Sequence, residues 1–515
     1  VRWSDLSDAP DNPAVIAAAR TVPRGTIRER DGTVLASNKT DANGESYRVY
    51  RDRAMSPVLG YASRLFGTAG LERAYDAQLA GLAGADPVAD ALRKFGRNPY
   101  DPQDLQLSIS LKLQRAALQG LGSQKGAVVM LDPKTGEVLA LASNPTFDAN
   151  AIANPGTARS AFAALQKDPA QPLLPRATQG RYVPGSVFKI VTAIAGLGSG
   201  AITADTTYPQ QPGAERNGLL VSGFRVRDGH HPQTDGRALA FEEAVEVSCN
   251  VYFALTGLRT GGDALATAAA SLGFGAPIPF DLPTAVSQIT NGGGRLPGGF
   301  KDDVELANAA YGQAETLVTP LQMALVAATV ANGGVLMRPR LVTAMTGTGG
   351  TRQIGPSAVR DVIDPAKDAV ITSAMERAVE GNLGRLFTTG AAVPGVPTAG
   401  KSGTAELGGT GEPHSWFIGF APVTDPKVAI AVIVEQGGRG AARAAPLAGR
   451  MMQLALQLLG GGGLPSRSAE ARAFGAASGG HWSSASGWPR SRSSSRRCSG
   501  SSPSRRSAAG NLSSG

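Results

Sequence analysis

Val183-Pro184-Gly185-Ser186-Val187-Phe188-Lys189, followed by the apolar run IVTAIAGL, is the stretch on which the reading of this chain turns. Pro184-Gly185 interrupts what precedes, and the run after it predicts a helix with Ser186 in its first turn. Ser186 and Lys189 then share one helix face at i and i+3. A serine hydroxyl becomes a nucleophile beside a base, and a lysine whose pKa is lowered by burial can be that base. The helix start adds a free backbone N–H and the positive end of the helix dipole. Taken alone, the pair also suits a capping serine and a surface lysine. Yet of the 11 lysines only Lys189 has serine three residues before it.

Two further groups follow in the chain. Ser248-Cys249-Asn250, inside FEEAVEVSCNVYFALTGL, places a small hydroxyl and an amide at a predicted helix junction, where capping is the competing reading. Gly400-Lys401-Ser402-Gly403-Thr404-Ala405-Glu406 opens a predicted strand. Small residues beside a lysine let a substrate backbone approach an edge strand, and Lys401 with Thr404 can hold a carboxylate. Ser186 and Ser248 are 62 residues apart, and Ser248 and Lys401 are 153 apart. A literal Lys134-Thr135-Gly136 precedes all of these, but it falls on a predicted hairpin turn, which accounts for it.

Outward from these motifs the chain divides into residues 1–104, 105–460 and 461–515. The first part predicts a hairpin over Thr26–Ser37 around Asp31-Gly32 and a helix near Leu71–Leu82. The second predicts a helix over Leu111–Leu121 and strands at Gly126–Leu131 and Glu137–Ser143. A mostly helical middle, Ser186 to Asn332, is interrupted by polar, Gly-rich text at Tyr208–Gly236 and Gly292–Gly299. Strands return at Lys401–Leu407, Trp416–Ala421 and Val428–Gln436, and a helix over Ala444–Leu459 closes the part. This order predicts an α+β fold whose sheet is built from both ends around a helical insertion. The third part holds 17 serines in 55 residues, too polar to bury a core, and is predicted to stay disordered.

Composition removes several functions. Of the formal charge of +9, the segment from Gly461 carries +7 (eight arginines against Glu470), leaving +2 on the other 460 residues. No basic face for nucleic acid is therefore expected. Two cysteines, Cys249 and Cys498, exclude a disulfide framework, and the four histidines show no zinc spacing. His230-His231 reads as a surface loop, and neither metal nor cofactor is expected. No apolar run is long enough to span a bilayer. The polar text directly after Val1 reads as a fragment from which a signal or anchor has been removed.

With three motifs in order, the chain resembles a class B penicillin-binding protein, of actinobacterial type. Further similar segments are Arg24-Gly25-Thr26-Ile27 with Arg30-Asp31-Gly32 and Leu35-Ala36, then Gly70-Leu71-Glu72 and LDPKTGEVLALASNPTFDAN at Leu131–Asn150. Arg176-Ala177-Thr178, Tyr311-Gly312-Gln313 and Thr319-Pro320-Leu321-Gln322 complete the set. The resemblance implies a serine β-lactamase/transpeptidase-like domain, an antiparallel sheet flanked by helices, on a smaller N-terminal pedestal. It implies D,D-transpeptidation of peptidoglycan stem peptides and trapping by β-lactams. Ser186 would be the nucleophile, Lys189 its base, Ser248 a proton relay, and Asn250 the residue that orients the substrate amide. Lys401, Ser402, Gly403 and Thr404 would form the substrate strand, with Lys401 and Thr404 on the terminal carboxylate. The N–H groups of Ser186 and Thr404 would make the oxyanion hole. The family also implies a single N-terminal membrane anchor, an extracytoplasmic catalytic domain and a SEDS-family glycan polymerase as partner. A serine β-lactamase, a β-lactam sensor and a catalytically silent scaffold are the alternatives. The long region before Ser186 speaks against the first, and the intact functional positions speak against the last.

Overall fold

Gly126–Leu131 and Val428–Val434 hold the densest apolar text of the chain, and every residue of both strands is buried. The structure, a computed structural model, describes residues 23–41, 44–82, 100–228, 231, 236–383, 388–408 and 411–460. The two strands lie side by side inside a five-stranded antiparallel sheet. Its order is Ala399–Ala405, His414–Ala421, Val428–Val434, Gly126–Leu131 and Val138–Asn144. Two strands thus come from the start of the expected domain and three from its end, around a helical insertion. Strands buried at every residue need cover on both faces. Leu111–Leu121 and Ala444–Leu459 pack together on one face; Pro320–Ala331 and Pro365–Glu380 lie on the other. All twelve residues of Pro320–Ala331 are buried. Thr319 starts that helix by accepting the Gln322 N–H at 3.1 Å, with Pro320 at the first helical position.

A second, six-stranded sheet runs Gly350–Gln353, Val342–Gly347, Asp104–Leu107, Ile27–Arg28, Val34–Thr40 and Ser46–Tyr50. Ile27–Arg28 and Val34–Thr40 form the expected hairpin, and Ile27–Arg28 pairs parallel with Asp104–Leu107. Residue 104 therefore opens a strand of this sheet, and residues 342–353 add two more. Glu72 is fully buried beside it. Its carboxylate accepts from Arg48 Nε at 2.6 Å and Arg24 Nε at 3.0 Å, so the Arg24 and Gly70-Leu71-Glu72 segments meet in one ion cluster. Removing the carboxylate strands the buried Arg48 charge. Glu72→Ala is expected to cost about 3–5 kcal/mol, read as a lower denaturant midpoint, with Glu72→Gln losing less.

Local departures from expectation have local reasons. The helix expected near Leu71–Leu82 is two short ones, Gly70–Ala74 and Asp76–Leu79, broken at Tyr75 (φ −116°, ψ 31°). The Tyr75 hydroxyl donates to the Asp281 carboxylate, a long-range tie that holds the break. The polar stretch Tyr208–Gly236 contains a helix, Gln211–Asn217, and a hairpin, Leu219–Val221 with Phe224–Val226. The expected strand Lys401–Leu407 runs Ala399–Ala405, shifted toward its N-terminus by its pairing with His414–Ala421. Lys134-Thr135-Gly136 sits on the turn between strands, with Asp132 Oδ1 accepting the Lys134 N–H at 2.9 Å. Residues 461–515, with Cys498, and His230, for which disorder and a surface loop are expected, lie outside the described residues.

Candidate active site

Ser186 lies in a short 3₁₀ turn, Gly185–Phe188, which runs into the helix Lys189–Ser199. Three contacts fix this entry. The Gly185 N–H donates to Gly312 O at 2.9 Å, Trp416 Nε1 donates to Val183 O at 3.0 Å, and Gly403 packs against Pro184 and Val187. Gly185 has φ +56°, and a Cβ there would meet Thr404 O at 2.6 Å. A Cβ on Gly403 would meet Pro184 O at 3.0 Å. Glycine at these two positions brings the Ser186 turn and the Lys401 strand into backbone contact. The Tyr311-Gly312-Gln313 segment thereby acquires a reason: its central carbonyl holds the Ser186 loop.

The expected helix junction exists: Phe241–Glu246 ends and Asn250–Thr260 begins around Ser248. Ser248 takes φ +62°, a left-handed conformation uncommon for serine, and this aims both its carbonyl and its hydroxyl at the lysines. Lys189 Nζ donates to Ser248 O at 2.5 Å, Asn250 Oδ1 at 2.7 Å and Ser248 Oγ at 3.2 Å. Lys401 Nζ reaches the same Ser248 Oγ at 2.8 Å. One hydroxyl thus bridges two amines from distant parts of the chain. The Ser186–Lys189 contact implied by the i, i+3 spacing is not among these bonds. Lys189 is turned onto the Ser248–Asn250 junction, while Ser186 faces the same cleft.

Both amines are buried. Burial lowers Lys189 to about 8, although Asp228 and Cys249 pull the other way. Burial, and then the Lys189 charge, push Lys401 well below its ordinary range. Two ammonium groups sharing one hydroxyl repel each other, so the site favours losing a proton. The cleft measures about 1000 Å³ and is lined by Ser186, Ser248, Asn250, Ser402 and Thr404. Thr404 Oγ1 accepts the Gly440 N–H at 3.3 Å, which orders the strand's outer end.

Sequence reading missed the ground beneath this site. His231, expected on a surface loop, is buried, and its Nε2 lies 3.7 Å from both Glu215 Oε1 and Asp228 Oδ1. With Cys249 these residues bring four ligand-type atoms within 4.8 Å of one another. A thiol, an imidazole and two carboxylates are the donor types that a four-coordinate zinc takes, so these residues could hold a divalent cation. The Cys249 thiol donates to Glu215 and accepts the Tyr252 N–H, both at 3.2 Å, and so caps the helix Asn250–Thr260. Burial raises that thiol well above its usual pKa. Burial alone would raise the Asp228 carboxyl as well, but the neighbouring His231 imidazole and the Lys189 charge hold it below the usual range. No spacing motif links Glu215, Asp228, His231 and Cys249, since they come from a helix, a loop and a helix cap. Asp228 also accepts the Val251 N–H at 2.9 Å.

Residues 126–453 match the family described as penicillin binding protein transpeptidase domain, and residues 24–99 match the penicillin binding protein A dimerisation domain. The peptidoglycan D,D-transpeptidase PbpA of Mycolicibacterium smegmatis is 35% identical over 476 residues, spanning 87% of this chain and 92% of the relative. The peptidoglycan D,D-transpeptidase MrdA of Acinetobacter baumannii is 30% identical over 424 residues, spanning 74% of this chain and 59% of the relative. Among solved structures, the ceftriaxone acyl-enzyme complex of penicillin-binding protein A from M. tuberculosis superposes with a TM-score of 0.74 at 33% identity. It covers 85% of this chain and 100% of that one. The penicillin G acyl-enzyme complex gives 0.71 at 33% identity, covering 84% and 99%.

Proposed function

The chain belongs to the class B penicillin-binding proteins and is a peptidoglycan D,D-transpeptidase, and we propose that the cleft carries out the reaction through the following roles. Ser186 Oγ attacks the carbonyl between the two terminal D-alanines of a donor stem peptide, and neutral Lys189 takes its proton. The N–H groups of Ser186 and Thr404, brought together by the Gly185–Thr404 contact, hold the oxyanion. Ser248, bonded to both amines, passes a proton to the departing D-Ala nitrogen, leaving an ester on Ser186. An amine of a second stem peptide then attacks the ester, forms the new amide and returns the proton to the site. Asn250 orients Lys189 and the substrate amide. The substrate's terminal carboxylate settles beside Lys401 and Thr404, and its charge restores the proton that burial discourages on Lys401. Ser402 and Gly403 present backbone to the substrate along the edge strand. A β-lactam follows the same first step, but its leaving nitrogen stays tethered.

The single observation that carries this reading is Ser248 Oγ lying 3.2 Å from Lys189 Nζ and 2.8 Å from Lys401 Nζ in the cleft that Ser186 lines. Incubation with penicillin G is expected to add one drug mass to the protein, with the adduct on the peptide holding Ser186 and lasting many minutes. Rapid turnover of drug in stoichiometric excess would instead mark a β-lactamase, and no adduct at all a silent scaffold. Family membership also supports the N-terminal pedestal expected over residues 1–104, partnership with a SEDS-family glycan polymerase, and an extracytoplasmic, membrane-anchored setting. No helix among the described residues is long and apolar enough to cross a membrane.

A further inference from the structure

One wall of the cleft has no role in the reaction above. We propose that the hairpin of Leu219–Val221 and Phe224–Val226, together with Arg227, is a recognition subsite for an anionic stem peptide. Its guanidinium groups take a free carboxylate carried upstream of the two terminal D-alanines. The inference rests on the transpeptidase reading and names which chemical form of the substrate the cleft prefers.

Phe224, Arg225 and Arg227 line the same cleft as Ser186, Asn250 and Thr404. Its volume of about 1000 Å³ has room for a peptide rather than a dipeptide end alone. The hairpin is built to stand firm. Ser222 and Gly223 take φ of 44° and 87°, the turn whose twist suits two paired strands, and Val221 and Val226 root it in the core. With Val226 pointing inward, Arg225 and Arg227 share the outward face.

Arg227 is also tied to the catalytic junction through its backbone. Its carbonyl accepts Asn250 Nδ2 at 3.3 Å, and the next residue, Asp228, caps the helix that begins at Asn250. The arginine therefore stands on a fixed base beside the residue that orients the substrate amide. Among the described residues no acid pairs with the Arg227 guanidinium, and Arg225 donates only to the Asn217 carbonyl. The cleft's other acids are placed elsewhere: Asp228 faces the His231 and Lys189 groups, and Glu406 stands beyond the end of the Lys401 strand. Leu220, opposite Arg225 in the hairpin, is 61% exposed, and Phe224 is 45% exposed. Cations set among apolar surface suit a residue with an aliphatic stem and a carboxylate, which arginine grips with two parallel bonds.

The test uses a synthetic stem pentapeptide ending in D-Ala-D-Ala, with its side-chain carboxylates either free or amidated, and reads D-Ala release. The wild-type protein is expected to favour the free acid in kcat/KM by about tenfold, the scale of one charge-assisted bond. Added salt should shrink that preference. In Arg227→Gln the ratio should fall to near one, and Arg227→Lys should keep part of it. A wild-type ratio near one overturns the subsite and leaves the transpeptidase reading standing. A wild-type ratio retained in both Arg227→Gln and Arg225→Gln does the same. Absence of D-Ala release from either peptide, with no penicillin adduct on Ser186, overturns both readings together.

Discussion

Ser186→Ala is expected to abolish covalent labelling by penicillin and to lower D-Ala release by roughly a thousandfold or more, the scale of losing a nucleophile. The substitution removes one oxygen from a half-buried position whose hydroxyl holds no hydrogen bond among the described residues. Folding should therefore be almost untouched, with a stability change within about 0.5 kcal/mol. Intact-mass detection of the adduct and a thermal melt on the same sample separate chemistry from folding. A labelled Ser186→Ala protein would move the nucleophile elsewhere and end the assignment. A protein that lost labelling together with its melting transition would show Ser186 to be structural.

Lys189→Met should reduce acylation by about a hundredfold to ten-thousandfold while keeping the volume of the side chain. In the wild type the acylation rate is expected to climb as pH passes about 8 and then level off. In the proposed mechanism the neutral amine acts as base, and with a pKa of about 8 only about a tenth of it is neutral at pH 7. Lys189→Met should flatten that limb. If the limb survives, it belongs to a different group, and Lys401, the neighbouring buried amine, is the candidate. Stability carries a second signature of the same burial. The folded state holds Lys189 at about 8 against 10.5 for an ordinary lysine, so between those values the unfolded chain binds more protons. Folding stability should accordingly rise over that window in the wild type, and rise less in Lys189→Met. The variant also leaves Asn250 Oδ1 and Ser248 O without their donor, a cost of about 1–3 kcal/mol that shows fully where Lys189 is neutral and is offset below pH 8 by relief of the buried ammonium.

The buried cluster of Glu215, Asp228, His231 and Cys249 bears on both experiments because it holds the floor under Asn250. Asp228 and Cys249 cap the helix Asn250–Thr260, and both lie near enough to Lys189 to act on its charge. Substitutions there should therefore change the pH dependence of acylation as well as stability.

By itself the sequence determined what short-range chemistry can determine. The helices Leu111–Leu121 and Ala444–Leu459 and the strand Gly126–Leu131 have the predicted bounds because their periodicity and flanking turns lie within a few residues. The serine–lysine spacing, the polar junction at Ser248 and the lysine strand were legible for the same reason, as was the grouping of strands from both ends. Tertiary structure alone decided what depends on contacts far apart in the chain. Lys189 turned toward Ser248 and Asn250, about sixty residues on, because burial demanded acceptors that its own helix lacks. Burial of His231, the ion cluster of Glu72 with Arg24 and Arg48, and the Arg227 wall rest on pairings 16 to 48 residues apart in the chain. No local pattern encodes such distances, since a charged or polar residue reads the same until packing decides whether water still reaches it.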